Sequence, residues 1–420
     1  MKKRLLVYAH YYVPDLASTG QILRELAEGM GAVFDITVIC VVPSYSGTVA
    51  PEYQSQKYYR ENIKGVKVLR IRVPAFRKAS KSSRVKNILT YFWGALKATF
   101  KTGPQDYILT ISQPPILGGL LGVWGKWVKR AKLIYNIQDF NPEQISAIAY
   151  SQDKFILKLL LLLDKFTCRR SDLVVTVGRD LVQTLEHRFK KQSLPPVVMI
   201  NNWVDEEQIY PLPPTEPHVL AFKKKYHLEN KFIIMYSGNL GLYYDLKNLI
   251  KVIEQFPQGT TAADGREVVF AFVGAGTLQA TLQNYVRQQK MTNVIFIPYQ
   301  PKADLIYSLN AADVQWCVNA KGMKGVSCPS KYYGLAAVAK PILGVLETDS
   351  EIACLIKETQ GGLLAEPQDY QNIRKNINWF LAHAASQELS DMGQRSRCNL
   401  EAKLTKKRSI ARYQEAIRKL

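Results

Sequence analysis

Short apolar runs alternate with longer stretches of helical periodicity along almost the whole chain. In the first half the runs are Leu5–Ala9, Ile36–Val41, Val66–Ile71, Tyr107–Ile111, Leu133–Ile137, Leu173–Val177 and Val197–Ile200. In the second half they are Phe232–Tyr236, Val268–Val273, Val294–Ile297, Val314–Val318, Pro341–Val345 and Gly362–Ala365. Each is about a strand long and rich in Val, Ile or Leu, as expected of strands buried on both faces of a parallel sheet. Most gaps between runs are long enough for a crossover helix. The pattern predicts an α/β protein with two Rossmann-like doubly wound sheets, one in each half. Between them, Asn201–Lys231 holds Pro211, Pro213, Pro214 and Pro217 and no clear strand. This places an N-terminal domain at 1–204 and a second domain at 205–395, whose first strand begins near Lys231. A basic amphipathic helix is expected over roughly Gln394–Lys419, which makes 396–420 a separate C-terminal element.

Composition changes this picture little, and charge changes it more. The chain has 420 residues, 47% hydrophobic and 22% charged, an ordinary globular balance. Its net charge is +21. Residues 1–200 carry +16, residues 201–400 carry 0 and residues 401–420 carry +5, with +10 concentrated in residues 51–100. Such asymmetry points to a polyanionic partner or an anionic membrane surface. No RNA-binding or helix-turn-helix signature accompanies it, so nucleic acid is not the expected partner. The six cysteines form neither a CxxC pair nor a zinc-spaced cluster, which suits reduced thiols in a cytosolic protein. The N-terminal Met1-Lys2-Lys3-Arg4 is not followed by a signal-peptide core. The longest apolar run, Phe155–Leu163, is interrupted by Lys158 and falls far short of the ~20 residues a spanning helix needs.

Open α/β sheets bind ligands at the carboxyl ends of their strands, so the segments following each strand are the candidates for chemistry. After the first strand, Ala9–Gly20 leads into a helix without a GxGxxG pattern. Thr19 and Gly20 stand where free amides meet an anion, or where glycine merely caps a helix. After the first strand of the second domain comes Ser237-Gly238-Asn239-Leu240-Gly241, with Lys247 opening the next helix. Glycines there allow close approach to a phosphate. Gly274 and Gly276 in Val273-Gly274-Ala275-Gly276 suit contact with a base or ribose, although many α/β turns look the same. In Cys328-Pro329-Ser330-Lys331, proline fits the first turn of a helix and places Ser330 and Lys331 at its positive end. A lysine there opposes the helix dipole unless an anion sits between them. Lys331 is therefore a candidate diphosphate ligand, and a solvated lysine is the plainer alternative.

These segments together resemble the family 4 glycosyltransferases with the GT-B fold, over nearly the full length. The Tyr-x-x-Pro…Gly loop, Ile200-Asn201-Asn202-Trp203-Val204-Asp205, Tyr236-Ser237-Gly238-Asn239, Phe272-Val273-Gly274-Ala275-Gly276 and Pro329-Ser330-Lys331…Lys340-Pro341 fall in order at family spacing. The Pro-Ser-Lys form is most similar to the branch with colanic-acid and O-antigen-type enzymes. The resemblance implies a hexosyltransferase that moves a sugar from a nucleotide-sugar donor to a polyprenyl-linked or glycan acceptor in cell-surface polysaccharide biosynthesis. It implies retention, no metal and no cofactor, the nucleotide-sugar being a substrate. The final helix would return to the N-terminal domain and add its charge there. The sequence also departs from the family. Where Glu-x7-Glu is common, Val326 and Gly334 stand, which leaves Glu347 and Glu351 as the nearest candidates for the donor ribose. Asn239 replaces an arginine, Tyr244 falls near a common lysine, and Gln138 replaces a histidine. Asp139, beside Gln138, would then orient the acceptor hydroxyl or the sugar, with Glu143 four residues later; capping ahead of Pro142 is the alternative.

The resemblance gives the charge a meaning. Arg77-Lys78-Ala79-Ser80-Lys81-Ser82-Ser83-Arg84-Val85-Lys86 runs into the aromatic-rich Asn87–Leu96, and Leu120–Lys132 carries Trp124 and Trp127 among basic residues. Both suit an anionic leaflet, which makes the expected location cytoplasmic and peripheral on the inner face of the cell membrane. Two other readings remain open on sequence. One is a sugar-nucleotide 2-epimerase of the same fold, for which His10 is the available imidazole. The other is a catalytically silent binding subunit.

Overall fold

The structure, a computed structural model, describes residues 2–15, 18–45, 47–75, 80–147, 153–189 and 194–420. It has two compact units, Met1–Asn201 with Lys407–Leu420, and Asn202–Lys406. The first runs β1 (Lys3–Tyr8), α1 (Ser18–Met30), β2 (Phe34–Val41), β3 (Tyr58–Ile63), β4 (Val66–Ile71), α2 (Lys81–Lys101), β5 (Tyr107–Ile111), α3 (Leu117–Lys129), β6 (Lys132–Ile137), α4 (Glu143–Ala147), α5 (Lys154–Arg170), β7 (Leu173–Thr176), α6 (Arg179–Phe189) and β8 (Val197–Met199). Its sheet has the order β3-β4-β2-β1-β5-β6-β7-β8, and strand order reverses between β1 and β5. All pairs are parallel except β3 with β4. Strand β3 is absent from the sequence expectation. It lies at the sheet edge and is mostly half-exposed, so it lacks the apolar run of its neighbours. Its hairpin turn, Lys64-Gly65, has positive φ at both residues, the geometry of a tight two-residue turn.

Both faces of this sheet are covered. Successive strand residues point to opposite sides. On β6, Tyr135 bonds Asp164 of α5 at 2.7 Å, and Asn136 bonds Tyr413, near the C-terminus, at 2.7 Å. The apolar residues of β1, β2, β4, β5 and β6 on the Tyr135 side pack with α2 and α3 through Tyr91, Ala95, Leu121 and Val123.

The second unit continues with α7 (Pro217–Lys225), β9 (Lys231–Ser237), α8 (Leu246–Ile253), β10 (Glu267–Val273), α9 (Gln279–Gln288), β11 (Val294–Ile297), α10 (Leu305–Asn310), β12 (Val314–Val318), α11 (Lys331–Ala337), β13 (Ile342–Val345), α12 (Glu351–Thr359), β14 (Gly362–Ala365), α13 (Tyr370–Ala382) and α14 (Gln387–Lys403). Its strands are parallel in the order β11-β10-β9-β12-β13-β14, the doubly wound arrangement with its switch point between β9 and β12. Strand β9 alternates between two cores. Phe232, Ile234 and Tyr236 enter one, and Ile233 and Met235 enter the other.

A last helix, α15 (Lys406–Arg418), returns to the first unit, where Gly29 of α1 abuts Ile410. The single helix expected from Gln394 is therefore two. The first, α14, stays with the second unit, its Arg397 guanidinium donating to the carbonyls of Ala337 at 2.8 Å and Ile209 at 3.1 Å. The second begins where Glu206 accepts the Lys406 amide at 3.0 Å, a contact spanning 200 residues and invisible to local periodicity. Since Tyr413 bonds Asn136, α15 lies on the sheet face opposite α2, α3 and α5. Its charge does not join theirs.

Candidate functional site

In the second unit the switch point is built around one lysine. Tyr236, next to last in β9, has its ring on the core side and its hydroxyl at the strand end. Lys331 opens α11 and donates from Nζ to the Tyr236 hydroxyl at 2.8 Å, which in turn donates to the carbonyl of Asn239 at 2.8 Å. The ammonium also lies 4.0 Å from the ring centres of both Tyr236 and Tyr244. Aromatic faces attract a cation, but they do not replace its hydration. Among the described residues no carboxylate pairs with Lys331, and burial pushes its pKa down to about 7. A bound phosphate would supply the missing negative charge and restore the ammonium.

The glycines around it have a local explanation. Backbone bonds from Gly238 to Val273 (2.9 Å) and from Leu240 to Ala275 (3.0 Å) zip the two strand-end loops together. A Cβ at Gly274 would lie 2.0 Å from the Gly238 carbonyl, and one at Gly276 would lie 2.3 Å from that of Leu240. Gly274 and Gly276 are thus required by loop-on-loop contact, whatever else they touch. Gly238 has φ 146, and a side chain there would come 3.7 Å from the Lys331 nitrogen. The loop after β12 is tied in by the Ala320 amide to Tyr243 (2.7 Å) and by Glu347, which accepts the amides of Gly322 (2.9 Å) and Lys324 (2.8 Å).

The first unit's switch point has a different chemistry. His10, on the loop after β1, is buried and stacked on Tyr11 (4.2 Å) and Tyr91 (4.8 Å). Asn87 donates its amide to Pro74 at 3.0 Å, so its oxygen faces His10 Nε2 at 3.2 Å, and the ring nitrogen donates. Burial pushes the imidazole down to about 4. Thr19 bonds Gln113 at 3.2 Å, which ties α1 to the loop after β5. Gly20 packs on the Tyr11 carbonyl, 3.1 Å from where a Cβ would lie. After β6, Ser112 Oγ accepts the amides of Gln138 (3.1 Å) and Asp139 (3.3 Å). The Gln138 side chain is buried and donates to Asn136 at 3.1 Å, while Asp139 keeps partial exposure. Arg188 fixes this segment from behind. It pairs with Glu143 and Asp164, donates to the Asn141 carbonyl at 3.1 Å and lies 4.1 Å over the Phe140 ring.

Comparison with known proteins settles the family. The model for a glycosyl transferase 4-like domain matches residues 19–203, and that for glycosyl transferases group 1 matches residues 220–398. The chain belongs to the family 4 glycosyltransferases. It is 24% identical to WbjE of Pseudomonas aeruginosa, named as a glycosyltransferase, over 81% of each chain. It is 23% identical to WcaI of Escherichia coli K12, named for a glycosyl transferase of colanic acid biosynthesis, over 90% of this chain and 92% of WcaI. Its fold is that of sucrose-phosphate synthase from Thermosynechococcus elongatus, with a TM-score of 0.76, 13% identity and coverage of 100% and 99% of the two chains. HepE of Anabaena, solved with UDP and glucose, matches with a TM-score of 0.69 at 14% identity over 100% of both chains. The epimerase reading falls with this assignment.

In this glycosyltransferase the structure gathers Gly238, Asn239, Gly274, Gly276 and Lys331 at one point, with Ser330 immediately before α11. Lys247 stands apart from these contacts, exposed on the first turn of α8. Glu351 is only 2% exposed, and Glu347 is occupied by two loop amides. Glu143, open for chemistry on sequence, is committed to Arg188. The sequence assigns no role to Tyr236 or Tyr244, which the structure places around Lys331. The available signal was Tyr236 itself, a polar-tipped residue continuing the core face of Phe232 and Ile234 to the end of a strand. His10 is buried among Tyr11, Tyr91 and Asn87, and burial holds its imidazole below the usual range. Of the basic stretch before α2, Arg77 and Lys78, and the side chain of Lys81, lie outside the described residues.

Proposed function

We propose that this glycosyltransferase moves a hexose from a nucleotide-sugar to a lipid-linked or glycan acceptor, with retention and without a metal, at the cytoplasmic face of the cell membrane. The donor is assigned to the second unit and the acceptor to the first. The observation that carries the reading is Lys331, held by two tyrosine rings at the switch point with no carboxylate paired to it among the described residues. A nucleotide-sugar diphosphate brings the anion this lysine lacks. As the anomeric carbon–phosphate oxygen bond breaks, negative charge grows on the leaving diphosphate, and the recharged ammonium stabilises it. The acceptor oxygen bonds the anomeric carbon on the same face, and its proton passes to a phosphate oxygen of the leaving group. Asp139 is proposed to orient the acceptor hydroxyl or the sugar, and the Gln138–Asn136 bond holds the neighbouring backbone. The lack of any Asp-x-Asp in the sequence supports metal independence. No described helix is long and apolar enough to cross a membrane, so contact with one would be at its surface.

Calorimetry with UDP-, GDP- and ADP-sugars tests this. One class should bind the wild type, and Lys331→Ala should weaken it about 10- to 100-fold, the range for a lost charged hydrogen bond. Equal affinity in the variant would overturn the role of Lys331. Donor binding with neither hydrolysis nor transfer to any supplied acceptor would overturn the enzymatic reading in favour of a binding subunit.

A further inference from the structure

Helices α2, α3 and α5 form one continuous layer over the first unit's sheet. Trp124 of α3 donates its indole N–H to the Leu96 carbonyl of α2 at 3.2 Å. Gly119 of α3 approaches α5 so closely that a Cβ would lie 2.7 Å from the Thr167 methyl. The outer side of this layer is unusually apolar. On α2, Val85, Leu89 and Trp93 follow one another every four residues and are 53%, 44% and 60% exposed. On α5, Phe155, Leu159 and Leu162 are 77%, 48% and 55% exposed. Helical spacing puts each set on one face of its helix, and large apolar surface of this kind marks an interaction site. Along α2 the apolar residues floor an open groove of about 900 Å³, with Arg72, Lys86 and Lys97 among its lining.

The charges accompany this apolar surface. Helices α2 and α3 contain no acidic residue, and α5 contains one, Asp164, which is buried against Arg188. Asp153, just before α5, is spent on capping it at 2.9 and 3.2 Å. Lys86, Lys97, Lys154 and Lys158 are exposed, and none forms an ion pair among the described residues. A second copy of the chain would set like charges against like across a two-fold contact. A nucleic acid would use the lysines but leave the aliphatic residues of α5 in water. An anionic bilayer accommodates both, since cations meet headgroup phosphates and apolar side chains enter the acyl boundary.

We propose that the outer side of α2, α3 and α5 is the surface by which this chain lies on an anionic bilayer, with α2 and α5 providing two separate apolar anchors. The α5 anchor lies well apart in sequence from the basic segment before α2. The proposal deepens the membrane reading above, but its test needs neither donor nor acceptor, so the two fail independently. Flotation of the full chain would be measured with phosphatidylcholine vesicles and with vesicles containing about one-third phosphatidylglycerol. The wild type should float with the anionic vesicles about tenfold more than with the neutral ones, and less at high salt. Leu159→Glu with Leu162→Glu should reduce flotation about tenfold, and so should Lys86→Gln with Lys97→Gln, each with unchanged thermal melting. The proposal is overturned if the wild type does not float, or if the α5 variant floats like the wild type. It is equally overturned if sizing shows a dimer that the α5 variant dissolves while neither form binds vesicles, which would assign the face to a second copy.

Discussion

The two switch points place a nitrogen base among aromatic rings, and the outcomes differ. Lys331 lies against Tyr236 and Tyr244 and is pushed down to about 7. His10 stacks on Tyr11 and Tyr91 and is pushed down to about 4. Burial drives both shifts, but only the lysine is left near the point of half-charge at neutral pH, where an incoming anion can change its state. The histidine is neutral throughout the physiological range. The basic half of the chain thus has an uncharged imidazole at its switch point, while the neutral half holds an amine that an anion can charge at its own. Net charge along the sequence reports surfaces, and the position of the reactive cation is set by local packing.

The first way to break this contrast is at the other polar group of the first unit. If Asp139 orients the acceptor hydroxyl or the sugar, Asp139→Ala should lower transfer about 100-fold, the scale of a misplaced reactant, with donor affinity unchanged, and the isosteric Asp139→Asn should cost much less. A parallel loss of donor affinity would mean that Asp139 acts on the donor instead. The second way is pH. Lys331 is cationic below about 7 and neutral above. A nucleotide-sugar diphosphate does not itself titrate there, so wild-type affinity should fall as pH rises beyond 7, by up to about tenfold per unit. Lys331→Arg, which stays charged, should bind with a flat profile over the same range. A flat wild-type profile between pH 7 and 9 would show that the lysine is already fully charged in the free protein.

A smaller effect is expected at Tyr236. Tyr236→Phe keeps the ring under the ammonium but removes the hydroxyl that links Lys331 to the Asn239 carbonyl. A hydrogen bond of this kind contributes about 0.5–1.5 kcal/mol, which is a roughly two- to twelvefold loss in donor affinity. A loss as large as that of Lys331→Ala would mean that the hydroxyl itself contacts the ligand.

Strand positions were legible wherever both faces of a strand are buried, because such strands need no partner to look apolar. The edge strand β3 was not, since its half-exposed residues owe their conformation to pairing with β4. The break before α15 was hidden for a related reason, its cap coming from Glu206. At the site, glycines and Lys331 stood out because few other residues suit those backbone and charge positions. Tyr236 and Tyr244 did not, because a tyrosine at a strand end reads as core until a lysine 95 residues away is placed on it. Glu143 and His10 show the opposite case. Each looks reactive alone, and each is committed by a partner distant in sequence, Arg188 in one case and Tyr91 with Asn87 in the other.

The smallest expected effect on transfer is the sharpest test of the contrast. His10→Gln removes the imidazole while leaving a side chain able to donate to Asn87. Because His10 is already neutral near pH 7, the variant should keep the wild-type pH profile of transfer between about 5.5 and 8. Its cost should appear in stability, about 0.5–1.5 kcal/mol from the lost ring stacking. That cost should also depend on pH in a defined direction. The folded pKa, about 4, lies below the unfolded value near 6.5, so the unfolded chain binds more protons between them. Wild-type stability therefore falls as pH drops through this window, and the His10 part of that slope is absent from the variant. Melting curves at pH 7 and 4.5 should show the wild type's advantage shrinking toward the acid end and changing sign there. A wild-type advantage that grows there would mean that His10 is protonated in the fold.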